Sequence, residues 1–150
     1  MQRTLVLLKP DSVQRSLLGK LISRIERRGL RLVAMKLMQV NETLARQHYS
    51  DHTTKPFFPG LVKFITSGPL LAMVAEGDNA VKIVRSLMGP TDPKDAPPGT
   101  IRGDFATSVG PNLIHGSDSV DSATREISLF FSPDEIISYT RDIEKWIIES

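Results

Sequence analysis

Asn112-Leu113-Ile114-His115-Gly116-Ser117-Asp118-Ser119 sets an imidazole between two apolar residues and a run of Gly, Ser and Asp, in a chain with only three histidines. An imidazole with an unperturbed pKa of about 6.5 is mostly neutral at pH 7, so it attacks as a nucleophile without a separate base. A serine needs one. Taken alone, a histidine beside a strand is more often a core residue satisfied by the backbone, so the surroundings of His115 decide its reading.

Outward from that stretch, short apolar runs alternate with amphipathic ones. The run over residues 4–8 ends at Lys9-Pro10-Asp11-Ser12, which marks a strand passing into a turn and leaves Lys9 at the strand end. Leu18, Leu21, Ile22 and Ile25 follow helical spacing among arginines, and Gly29 closes the segment. A second strand over 30–40 completes a strand–helix–strand crossover, and Asn41 then caps a helix running to Tyr49. A short apolar helix is expected over 61–65 and a buried strand over 70–75. The next helix runs to Gly89, its start capped by Asp78 or Asn79. Residues 90–111, with five prolines and three glycines, read as a long stiff loop. Ser119 caps a helix that carries Glu126 beside its apolar face, and Ser132-Pro133-Asp134-Glu135 signals one more helix.

A length of 150 residues fits a single domain, 1–150. With 40% hydrophobic and 24% charged residues, the composition is that of a globular chain rather than a disordered one. The absence of cysteine removes disulfides, thiolate metal sites and a Cys nucleophile, and fits a cytoplasmic location. No stretch is long enough to span a membrane, and the first residues are too short an apolar run for a signal peptide. A net charge of +2 favours small anions and is too slight to require nucleic acid. Neither GxxxxGK[ST] nor GxGxxG occurs, so any phosphate must be held by side chains, for which Lys9, Arg85, Thr91 and Arg102 are the candidates.

The octet around His115 resembles the active-site signature of nucleoside diphosphate kinases. So do Lys9-Pro10-Asp11, Tyr49 ahead of Lys55-Pro56-Phe57-Phe58, Thr66-Ser67-Gly68-Pro69 and Pro98-Gly99-Thr100-Ile101-Arg102-Gly103-Asp104-Phe105, in that order along nearly the whole chain. The resemblance implies a ferredoxin-like α/β sandwich, with a four-stranded antiparallel sheet covered by helices and His115 near the edge of the last strand. It also implies a ping-pong transfer of the γ-phosphoryl group from a nucleoside triphosphate such as ATP to a diphosphate such as GDP, through a phosphohistidine on His115 Nδ1. Glu126 would orient the ring and Ser117 support it. Phe57 and Val109 would sandwich the base, Lys9 and Asn112 bond the ribose, and Arg85, Thr91 and Arg102 grip the phosphates. His52 would assist there, and Tyr49, Leu61 and Gly116 line the pocket. Mg2+ would bridge the phosphates, with Asp118 reaching it through water. The family forms hexamers and tetramers, and the apolar tail Trp146-Ile147-Ile148 with the long loop favours a hexamer. Two residues depart from the family pattern: Ser12 stands where glycine is usual, and Pro111 where a basic residue is common.

Two rivals belong to other classes. One is a catalytically silent module on the same scaffold, engaging single-stranded nucleic acid through a basic surface. The other is a metal-dependent hydrolase on His48 and His52, which lacks an HExxH pattern and has Pro56 close behind.

Overall fold

The computed structural model describes residues 1–149. Among them, β1 (Gln2–Leu8), β2 (Arg31–Met38), β3 (Leu70–Gly77) and β4 (Ile114–Gly116) form one sheet of order β2-β3-β1-β4, with every neighbouring pair antiparallel. β1 and β2 are therefore parallel with β3 between them, and β3 and β4 are parallel with β1 between them. These two interleaved crossovers make the ferredoxin-like sheet that the resemblance implies. The helices are α1 (Pro10–Gln14), α2 (Leu18–Arg27), α3 (Glu42–His48), α4 (Phe58–Ile65), α5 (Ala80–Met88), α6 (Ile101–Phe105) and α7 (Val120–Phe130).

The two-residue period of β1 and β3 divides their side chains between two apolar layers. Leu5, Leu7, Leu70, Ala72 and Val74 pack with Ala45, Phe58, Val62, Ile65 and Phe130 from α3, α4 and α7. Val6, Leu8, Met73 and Ala75 pack with Leu21, Ile25, Val84 and Met88 from α2 and α5. A sheet covered on both faces has no polar side, which is why these strands read as unbroken apolar runs. Each fully buried leucine contributes about 1.5–3 kcal/mol. Of the central strands, residues 4–8 of β1 and 70–75 of β3 lie wholly in this core.

Register then places the stretch around His115. His115 pairs with Leu7 and so lies on the α3/α7 face, while Gly116 pairs with Val6 and lies on the α5 face. A Cβ on Gly116 would meet Met88 Sδ at 2.6 Å and Val84 Cγ1 at 2.8 Å, so this glycine lets α5 seat against the edge strand.

Several local expectations change. The turn after β1 is one helical turn, α1, with Pro10 at its first position. The 90–111 loop holds a 3₁₀ turn (Pro93–Asp95) and α6, where the Thr100 side chain accepts from Gly103 N–H at 3.0 Å and Ile101 is fully buried. At α5, Asn79 does not cap with its side chain; Val81 N–H donates to Gln2 Oε1 at 3.3 Å. The capping box at Ser132 forms, but only a single 3₁₀ turn follows (Pro133–Glu135). Beyond it Ile137 N–H donates to Val33 C=O at 2.9 Å and the Tyr139 hydroxyl to Leu32 C=O at 2.6 Å, so the chain is drawn along β2 instead of continuing as a helix.

Candidate active site

β4 carries His115 to the sheet edge, and α7 carries Glu126 to meet it. Ser119 starts α7 by accepting from Ser122 N–H at 3.0 Å, which sets the helix phase that turns Glu126 inward. His115 Nε2 lies 2.9 Å from Glu126 Oε1, and the Ser117 hydroxyl donates to the same oxygen at 2.7 Å. Burial alone pushes the Glu126 carboxyl up, but the hydrogen bonds from His115 and Ser117 and the imidazole charge outweigh it and hold it at about 2. An ionised carboxylate only accepts, so the proton of a neutral His115 sits on Nε2. Nδ1 is left with its lone pair, on a ring 23% exposed.

Behind this pair stands a residue that sequence reasoning weighed only as a metal ligand. His48 is buried at the end of α3, its ring centroid 4.6 Å from that of His115 in an edge-on contact and 5.4 Å from Phe130. Burial, then repulsion from His115, lowers its pKa to about 3, so it packs as a neutral wall. The ligand atoms of His48, His115 and Glu126 lie within 4.8 Å of one another, a group that does not include His52. The contact joins residues far apart in the chain, and no local pattern signals it.

A row of rings leads outward. Tyr49 is 4.7 Å from His48, His52 is 6.4 Å from Tyr49, and Phe57 is 5.5 Å from His52 and half exposed at the start of α4. Burial and the Glu126 charge push the Tyr49 hydroxyl up to about 12, so it stays protonated. Leu61 lies one turn beyond Phe57, its N–H donating to Phe57 C=O at 3.1 Å. Val109 is exposed in the segment ahead of Asn112.

The cations gather on the other side. Lys9 is buried at the end of β1 with Nζ 5.6 Å from the Phe64 ring centroid. Burial, then repulsion from Arg102, lowers its pKa to about 8, against the pull of Asp11. Arg102 is lowered to about 10 by burial and by Arg85. It donates to the carbonyls of Asn112 (3.2 Å), Gly89 (3.0 Å) and Ile114 (2.6 Å), leaving two of its five N–H groups free. Arg85 donates to Gly116 C=O at 3.3 Å and lines an open groove of about 440 Å³ with Asp118 and Ser119. Asn112 donates to Thr91 C=O at 3.0 Å, which ties the long loop to the stretch around His115. The charge of Arg102 thus bears on Lys9 and that of Arg85 on Arg102, an arrangement that an anion with several charges would relieve.

Fold and site together define a nucleotide phosphotransferase. Residues 2–136 match the family model described as nucleoside diphosphate kinase. The chain is 56% identical over 149 residues to the nucleoside diphosphate kinase of Archaeoglobus fulgidus, covering 99% of each, and 54% identical over 149 residues to that of Staphylococcus saprophyticus, covering 99% of this chain and 100% of the other. A solved halophilic nucleoside diphosphate kinase from Halobacterium salinarum in complex with CDP superposes with a TM-score of 0.97 at 53% identity, covering 99% of each chain. The chain belongs to the nucleoside diphosphate kinase family. It is an enzyme that transfers the terminal phosphoryl group of a nucleoside triphosphate to a nucleoside diphosphate.

Proposed function

We propose that His115 is the phosphoryl carrier of this reaction, on the single observation that its ring is held with Nε2 on an ionised Glu126 and Nδ1 free, beside the Lys9–Arg85–Arg102 cluster. In the first half-reaction the Nδ1 lone pair attacks the γ-phosphorus, the bond to the β-phosphate oxygen breaks, and the diphosphate leaves with that electron pair. Glu126 stabilises the positive charge that develops on the ring, and the proton stays on Nε2. In the second, a β-phosphate oxygen of another diphosphate attacks the phosphorus and the electrons of the P–N bond return to Nδ1. With γ-labelled ATP and magnesium, the chain forms an acid-labile, base-stable phosphoenzyme that GDP discharges as labelled GTP; a chain that stays unlabelled overturns the reading.

Lys9 and Asn112 bond the ribose, Arg85, Thr91 and Arg102 grip the phosphates with help from His52, and Tyr49, Leu61 and Gly116 line the pocket. Asp118 is exposed beside Arg85 and offers a hard oxygen, which suits a Mg2+ ion held through water. Such an ion supplies charge neutralisation on the phosphates.

Phe57 and Val109 sandwich the base. Stacking reads no base edge, so the enzyme accepts purines and pyrimidines alike. Phe57→Ala is expected to raise KM for all four bases by a similar factor of about tenfold. A loss confined to one base in steady-state assays counts against a stacking role.

Lys9 sets the alkaline limit. It is charged below about pH 8, so kcat/KM falls above that value as the free enzyme loses the proton, and Lys9→Met removes this limb of the profile. Because folding lowers this pKa from 10.5, stability rises with pH between about 8 and 10.5 and the buried cation costs on the order of 3 kcal/mol at pH 7. Lys9→Met therefore melts higher than the parent chain while losing nucleotide affinity; a lower melting temperature refutes the buried cost.

The enzyme acts in the cytoplasm as a homo-oligomer, a hexamer rather than a tetramer. β2 is an edge strand with Met35 and Leu37 exposed, and Ile143 and Trp146 (80% exposed) leave the tail apolar and open. Light scattering is expected to give six times the chain mass, and a monomer refutes any such assembly. Among the described residues no helix is long and apolar enough to cross a membrane.

A further inference from the structure

Leu113 takes a φ of 78° although it carries a branched, fully buried side chain. Ile114 N–H donates across it to Asn112 C=O at 2.9 Å, so Leu113 is the centre of a positive-φ γ-turn, a rare and strained form. Such a conformation persists only where the surroundings over-determine it. Arg102 braces the flanking carbonyls of Asn112 and Ile114, but both backbone groups of Leu113 itself are held by the segment that follows β1. Leu113 N–H donates to Asp11 Oδ2 at 3.0 Å, and Leu113 C=O accepts from the Lys9 N–H at 2.9 Å and the Ser12 hydroxyl at 2.6 Å. Ser12 is fully buried, so its hydroxyl is committed to Leu113 C=O rather than to solvent.

β4 begins at the next residue. It is three residues long and pairs with β1 alone, so it has few ladder bonds with which to fix its own register. A slip of one residue would turn His115 from Glu126 to the α5 face and set a side chain where only Gly116 fits. The clamp at Leu113 stands where such a slip would start.

We propose that Asp11 and Ser12 are positioning residues for phosphoryl transfer: by holding Leu113 in its γ-turn they pin the register of β4 and the aim of His115. The inference rests on His115 as the phosphoryl carrier. Ser12, where the family usually has glycine, adds a hydroxyl to a clamp whose main arm is Asp11.

The test uses the full chain with Ser12→Ala, Asp11→Ala and Asp11→Asn. Single-turnover phosphorylation by γ-labelled ATP and magnesium is timed at saturating nucleotide, alongside ADP affinity and thermal melting. Ser12→Ala is expected to slow phosphoenzyme formation about fivefold, as one lost hydrogen bond does, with ADP affinity within about twofold. Asp11→Ala slows it more than about tenfold, while Asp11→Asn, whose amide oxygen still accepts from Leu113 N–H, recovers most of the rate. Variants that melt lower yet phosphorylate at the parent rate per folded molecule overturn the proposal, as do variants that lose only ADP affinity. If Asp11→Ala does not fold, the rates of Ser12→Ala and Asp11→Asn decide. Failure of the parent chain itself to form a phosphoenzyme overturns the reading of His115 instead.

Discussion

His115→Gln is expected to form no phosphoenzyme and to lose at least about 10⁴-fold in phosphoryl transfer, roughly 5.5 kcal/mol of transition-state stabilisation. Glutamine fills much of the same space, and its amide N–H still donates toward Glu126, which sits behind the ring at 2.9 Å. What it lacks is the second nitrogen with a lone pair facing the cleft. The structural cost is small because the site is part-exposed and the Ser117–Glu126 bond is untouched, so melting within a few degrees of the parent chain is expected. Labelling with γ-labelled ATP under alkaline quench, with a coupled nucleotide assay, reads both effects. Label retained in the variant moves the carrier to another residue.

Arg102→Ala is expected to lose both activity and stability, and Lys94→Ala neither. Lys94 is exposed and its nearest carboxylate, Asp92, is 3.8 Å away, so its truncation stays within about 0.5 kcal/mol. Arg102 is buried and holds three carbonyls, one before the long loop and two in the catalytic stretch. Truncation strands those carbonyls, at about 1–3 kcal/mol each where water does not reach them. A loss of about 3 kcal/mol or more lowers Tm by roughly 6–12 °C in a domain of this size. Activity assayed well below that Tm is expected to fall at least about 10²-fold, since the two free N–H groups no longer meet phosphate. Equal losses in Arg102→Ala and Lys94→Ala remove the clamp from the account.

Strand and helix positions were legible wherever hydrophobic period and caps coincide. Residues 4–8 and 70–75 read as buried strands because both faces of the sheet are covered, and Asn41 and Ser119 read as caps because their side chains accept the helix N–H groups the sequence offers. The capping box at Ser132 was equally legible and equally formed, but what followed depended on β2, whose edge draws residues 137–139 away from helical geometry. α6 was hidden inside a proline-rich loop because its cap, Thr100, and its buried anchor, Ile101, are too few residues to show a period.

At the site the division is similar. His115, Glu126, Ser117 and the cations are present in motifs that survive as linear patterns, so the family and its chemistry were open to reading from residues alone. His48 and the grip of Arg102 were not, because each acts between residues distant in sequence. By itself the sequence determined which groups are available: one imidazole in a signature stretch, one carboxylate on the same face of a helix as the core, and three cations at element ends and in the long loop. The resemblance pointed to Nδ1, but only the tertiary structure decided which face His115 takes and how its Nε2 meets Glu126, because both depend on register. That register is set by a strained turn at Leu113 held by Asp11 and Ser12, far away along the chain and adjacent only once the sheet has formed.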